Sequence, residues 1–138
     1  YWPMNEPGAL SAWIPMHDVD EHNGCMMFVP GSHTKGKLTG IDLVNPQDIF
    51  AFEESNGVSR TQAVKVPLKA GSLTFHNGLC FHYAHANMSD QPRRVLALIY
   101  FPDGTTFNGN EHLCTKEQGF VKGEPIQGGL FPLLATRR

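Results

Sequence analysis

Three of the chain's seven histidines, His76, His82 and His85, fall within one short stretch, FHNGLCFHYAHAN. Neutral imidazole binds divalent transition metals and is the side chain that changes charge nearest neutral pH, so this density points to metal binding or proton transfer. On a continuous strand, residues three apart project to opposite faces, so His82 and His85 cannot both enter one site. A single histidine of this kind is more often a hydrogen-bonded structural residue than a ligand. His17 and His22 bracket an acidic turn, HDVDEH. It lacks the spaced oxygen donors of a calcium loop, and a solvated connection is the simpler reading. Cys25, Cys80 and Cys114 stand far apart without a CxxC spacing, which fits neither a zinc site nor a disulfide framework. Cys25 and Cys80 lie in apolar stretches, as small buried hydrophobes do, and a reducing, cytoplasmic setting follows. No GxSxG, HExxH, GxGxxG or GxxxxGK[ST] motif occurs, so that kind of serine hydrolase, the zincins, dinucleotide enzymes and P-loop NTPases fall away.

The elements that must position these groups read as strands. Six segments rich in β-branched, aromatic or long apolar residues are separated by turn signals: Ala9–Met16, Cys25–Val29, Ala63–Leu68, Ser72–His76, Leu79–His85 and Arg93–Phe101. Asn23-Gly24 and Asn77-Gly78 mark two of the turns. The interval 34–61 is the least strand-like. Within it, Asn45-Pro46-Gln47-Asp48 resembles a helix start, followed by apolar Ile49, Phe50 and Phe52, so a short helix or lid is expected. No element is expected in the Gly-rich, irregular tail after Asp103. In the last strand, Arg93, Val95, Ala97, Ile99 and Phe101 share one face and Arg94, Leu96, Leu98 and Tyr100 the other. Both faces are apolar, and both are expected to be covered. A guanidinium at the inner end of such a strand needs an anion. An internal Asp or Glu and a bound carboxylate ligand both remain open.

The chain has 138 residues, a formal net charge of −2, 41% hydrophobic residues, 14 glycines and 10 prolines. These values suit one all-β domain and exclude a disordered chain. Without a Lys/Arg tract, neither nucleic acid nor an anionic membrane is an expected partner. The longest apolar run, Val95–Pro102, is far below the ~20 residues of a spanning helix. The opening Tyr1-Trp2-Pro3 reads like the interior of a domain, so residues 1–138 are expected to be a single partial domain.

Two blocks, WIPMHDVDEHNGCMMFVPGSH (Trp13–His33) and GSLTFHNGLCFHYAHANMSDQPRR (Gly71–Arg94), together resemble the phytanoyl-CoA dioxygenase family, and the similarity continues through Ile99–Thr106. The resemblance implies a double-stranded β-helix (a jelly-roll, cupin-like fold), here N-terminally truncated. It also implies an Fe(II)- and 2-oxoglutarate-dependent dioxygenase that uses molecular oxygen to hydroxylate a small organic substrate. The family's distal iron ligand precedes an Asn by five residues and an Arg by eleven, which maps it to His82, with Asn87 and Arg93. By the same resemblance His82 is the metal-binding and catalytic residue. Arg93 pairs with the distal carboxylate of 2-oxoglutarate, a planar fork meeting a carboxylate, and Trp13 lies beside the co-substrate. Tyr1, Trp2, His33, His76 and Asn87 are expected on the substrate side. The departure is that none of the seven histidines is followed two positions on by Asp or Glu. The family's His-x-Asp pair is expected upstream of Tyr1, and the chain as it stands is expected to be inactive. The alternative is a non-catalytic β-barrel binding module that keeps the carboxylate site at Arg93.

Overall fold

The computed structural model describes residues 2–37, 50 and 57–135. Tyr1, the proposed helix start Asn45–Asp48, and Ile49 and Phe52 lie outside the described residues. Six strands form where the apolar segments predict them: β1 (Leu10–Pro15), β2 (Met26–Phe28), β3 (Val64–Val66), β4 (Thr74–Asn77), β5 (His82–Ala84) and β6 (Val95–Tyr100). Helical structure among the described residues is confined to short 3-10 turns such as Ser32–Lys35 and Arg60–Gln62. The second is started by a capping box, in which the Ser59 side chain accepts from Thr61 N–H and the Gln62 side chain accepts from Ser59 N–H.

The strands make two antiparallel three-stranded sheets, ordered β4-β1-β6 and β3-β2-β5. Register assigns the faces, because residues directly opposite in an antiparallel pair share a face. In the first sheet, Trp13 stands between Thr74 and Ala97, and Ser11 between His76 and Ile99. In the second, Phe28 stands between Val64 and His82. These two faces meet: the His76 ring centroid lies 5.0 Å from that of Phe28 and 4.6 Å from that of His82. The reverse face of β3-β2-β5 carries the main hydrophobic cluster, Met27, Val29, Phe50, Val58 and Phe81, with Ala63 and Tyr83 packed against it.

The other reverse face corrects the expectation that both sides of the last strand are covered. Leu10, Phe75, Leu96 and Leu98 share the outer face of β4-β1-β6 and are all exposed, Phe75 to 60%. No other strand among the described residues joins β6 on its free edge.

The acidic connection after β1 is a solvated turn, as anticipated. Asp20 Oδ1 accepts from the N–H groups of His22 and Asn23, and Asp18 pairs with Lys69 at 2.6 Å. Cys25 is buried, Cys114 is exposed, and all three cysteines are free. Among the described residues no strand or helix forms in the tail, as expected, but ring contacts hold it together. Phe107, Phe120, Phe131 and Phe101 form a continuous series of ring contacts with centroids 5.4–6.0 Å apart. Glu6 ties that tail to the start of the chain, accepting from Thr106 N–H at 2.7 Å and from Thr106 Oγ1 at 2.9 Å. Those bonds hold the Glu6 carboxyl below its ordinary pKa.

Candidate functional site

His82 opens β5, and its side chain enters the space between the sheets because it shares the Phe28 face. Its Nδ1 lies 2.7 Å from the Cys80 carbonyl oxygen. A carbonyl only accepts, so Nδ1 carries the hydrogen and Nε2 holds the lone pair. This bond fixes both ring orientation and tautomer, as the outer hydrogen bond of a metal-bound histidine does. Burial lowers the His82 pKa, while the Cys80 bond opposes that shift. A neutral imidazole with Nε2 available is the form that binds a metal.

His76, from β4, faces it across the sheets. It is 8% exposed, and its Nδ1 is buried without a hydrogen-bond partner. Burial, followed by the neighbouring His82 charge, depresses its pKa to about 4. Thr74, two residues back on the same face, likewise has a buried Oγ1 without a partner. The depressed pKa has a consequence for the fold. An unfolded His76 takes up a proton near pH 6.5, whereas the folded one resists until about pH 4. Falling pH across that window therefore favours the unfolded state, by about 1 kcal/mol at roughly pH 5.5. Urea denaturation of the metal-free chain near neutral pH and near pH 5.5 should show this loss. His76→Phe should show a smaller one, and equal losses in both proteins would contradict it.

Arg93 stands just before β6. Its Nη1 donates to the Gly24 carbonyl at 2.8 Å and to the His85 carbonyl at 3.2 Å. Among the described residues no Asp or Glu forms an ion pair with it, so the internal-acid alternative finds no support there. Two carbonyls anchor one nitrogen, leaving Nη2 and Nε for another acceptor. Gly24, buried with φ +94°, makes this possible, because a Cβ there would lie 2.3 Å from Nη1 and 2.7 Å from the His85 oxygen. Asn23-Gly24 was legible as a turn, but nothing local pointed to a guanidinium 69 residues away.

The remaining sequence candidates are not gathered as closely. Trp13 shares the inner sheet face with Thr74 and His76. Asn87 is exposed and closes its own turn, donating to the Gln91 carbonyl at 2.7 Å and accepting from Ser89 N–H and Oγ. That turn delivers the chain to Arg93. His33 is exposed on the Ser32–Lys35 turn. Trp2 packs against His112, ring centroids 4.6 Å apart, beside a cleft that Ala9 and Leu79 help to line. Thr74 was missed, its only signal being its place two residues before His76 in a strand.

The donor set fits iron in part. His82 suits one coordination position, and no cluster of three His, Cys, Asp or Glu forms among the described residues. The fixed, acid-free guanidinium of Arg93 suits a carboxylate. No helix among the described residues is long and apolar enough to cross a membrane.

Two facing antiparallel sheets, with a histidine presented from β5 and an arginine from the segment entering β6, define a double-stranded β-helix of the kind that serves 2-oxoglutarate-dependent oxygenases. Similar solved structures agree. The non-heme alpha-ketoglutarate-dependent carbocyclase SnoK from nogalamycin biosynthesis superposes with a TM-score of 0.76 at 30% identity, over 96% of this chain and 51% of that one. The epimerase SnoN, in complex with Fe3+, alpha ketoglutarate and nogalamycin RO, gives 0.71 at 32% identity, over 94% and 51%. The family model for phytanoyl-CoA dioxygenase (PhyH) matches residues 1–95, and the chain belongs to that family. Phytanoyl-CoA dioxygenase domain-containing protein 1 of Mus musculus is 33% identical over 90 residues, covering 62% of this chain and 31% of that protein. Its Danio rerio counterpart is 30% identical over 90 residues with the same coverage. The chain thus spans about a third of the length of these curated relatives and about half of these solved neighbours.

Proposed function

We propose that this chain forms the co-substrate-holding portion of an Fe(II)/2-oxoglutarate-dependent dioxygenase that hydroxylates a small organic molecule. The observation that carries the reading is the His82 imidazole, fixed by the Cys80 carbonyl with Nε2 as its lone-pair nitrogen. His82 would hold the iron, Arg93 the distal carboxylate of 2-oxoglutarate, and Trp13 would flank the co-substrate. When bound, iron and 2-oxoglutarate supply the oxygen activation that couples decarboxylation to C–H hydroxylation. The protein orients these groups and excludes water between the two sheets. Tyr1, Trp2, His33 and Asn87 remain substrate-side proposals. Three free cysteines suit a cytoplasmic setting.

The chain contains no His-x-Asp, so it should not turn over alone. Incubation with Fe(II), ascorbate and 2-oxoglutarate, with succinate measured, compares it with a longer version carrying that pair. Only the longer protein should release succinate, and His82→Ala in it should abolish release. Full activity from the 138-residue chain, or release indifferent to His82→Ala, would overturn the assignment. A second reading, a binding module without catalysis, rests on the Arg93 guanidinium alone, which two carbonyls anchor through Nη1 while Nη2 and Nε stay open to a carboxylate. It predicts dicarboxylate binding through Arg93 and no succinate from either version.

A further inference from the structure

Two polar atoms between the sheets have no role in the site as described so far. Thr74 Oγ1 and His76 Nδ1 are buried and lack hydrogen-bond partners. Such an atom forfeits the bonds water would give it, which folded proteins rarely tolerate. These two lie two residues apart on one strand and on one face, about 7 Å along the chain. A third orphan, His85 Nε2, is separate, since the His85 ring packs edge-on against Tyr83, on the opposite face of β5 from His82.

Register orders these groups along the sheet. Val95 is opposite Pro15, Ala97 is level with Trp13 and Thr74, and Ile99 is level with Ser11 and His76. Arg93 precedes Val95, so Thr74 lies toward the Arg93 end, whereas His76 lies at the other end, against His82. A carboxylate takes hydrogen bonds from a hydroxyl and from an imidazole N–H alike. The terminal carbons of an extended five-carbon dicarboxylate are about 5 Å apart by standard bond lengths. With a hydrogen bond of about 3 Å at each end, such a molecule reaches both atoms.

We propose that Thr74 and His76 are 2-oxoglutarate-binding residues, Thr74 Oγ1 donating to the distal carboxylate beside Arg93 and His76 Nδ1–H donating at the keto-acid end beside His82. The assignment rests on the reading of 2-oxoglutarate as co-substrate. It adds a side wall to the site, contributed by β4 rather than by β5, which carries His82, or by the segment before β6, which carries Arg93.

Isothermal titration of the purified, metal-free chain with 2-oxoglutarate, and separately with glutarate, tests it without any need for turnover. Thr74→Val should weaken both ligands about ten-fold, and Thr74→Ser should restore binding. His76→Phe should weaken 2-oxoglutarate more than glutarate, which lacks the keto group, and His76→Gln should recover part of the loss. Melting curves on every variant separate lost binding from lost folding. If Arg93→Ala abolishes binding while Thr74→Val and His76→Phe bind like the unaltered chain, this assignment falls and the co-substrate reading stands. If the unaltered chain binds neither dicarboxylate, both fall.

Discussion

Replacing Gly24 with alanine should lower the melting midpoint of the chain by roughly 10 °C and displace Arg93. The added methyl would lie 2.3 Å from Arg93 Nη1 and 2.7 Å from the His85 carbonyl oxygen, at a residue whose φ of +94° already disfavours any side chain. The guanidinium is the end of a flexible side chain and can swing away, but the His85 oxygen is backbone and cannot. Swinging away also strips the Gly24 and His85 carbonyls of their shared donor. Lost hydrogen bonds and backbone strain together cost about 3 kcal/mol, which in a domain of this size corresponds to the stated fall. Thermal denaturation followed by circular dichroism measures it. An alanine variant that melts within about 2 °C of the parent would show that the close approach does not matter.

Arg93→Lys should weaken 2-oxoglutarate binding about 100-fold even though it conserves charge. Nη1 is committed to two carbonyls, and the planar fork still offers Nη2 and Nε to a carboxylate. A lysine ammonium is one point on a flexible stem and cannot sit on both carbonyls while presenting a parallel pair of N–H bonds. The loss of a bidentate, charge-assisted contact is worth about 3 kcal/mol, or two orders of magnitude in affinity. Calorimetric titration of the two proteins, with melting curves alongside, reads the effect. Equal affinities would mean that Arg93 supplies only a positive field, and its role as a directional clamp would be lost.

The strands were legible because their signals are local, and where the ends moved the cause is visible. Leu79–His85 shortens to His82–Ala84 because Asn77 claims the preceding residues for a turn, its Oδ1 accepting from Leu79 N–H and its carbonyl from Cys80 N–H. Ala63–Leu68 stops before Pro67, which cannot donate to a ladder. The coverage of β6 was misjudged because alternation reports that both faces are apolar, not whether anything lies against them. The aromatic series of the tail joins Phe101 to residues up to thirty positions later, beyond any local pattern. In the site, the spacing of His82, Asn87 and Arg93 was readable through family resemblance. The tautomer of His82 was not, since it depends on the Cys80 carbonyl. Gly24 carried a turn signal that concealed its second task, and Thr74 carried almost none.

The proposed ligand-binding groups are divided between the two sheets. Trp13, Thr74 and His76 belong to β4-β1-β6 and His82 to β3-β2-β5, while Arg93, just before β6, grips carbonyls flanking the second sheet. A molecule bound among them would join the sheets as a dowel joins two boards, and the unfolded chain would have no comparable grip on it. Ligand concentration then enters the folding equilibrium by mass action, adding about 2.7 kcal/mol when the ligand stands at 100 times its dissociation constant. If the proposed site holds, the melting midpoint of this chain would be a gauge of the free dicarboxylate around it.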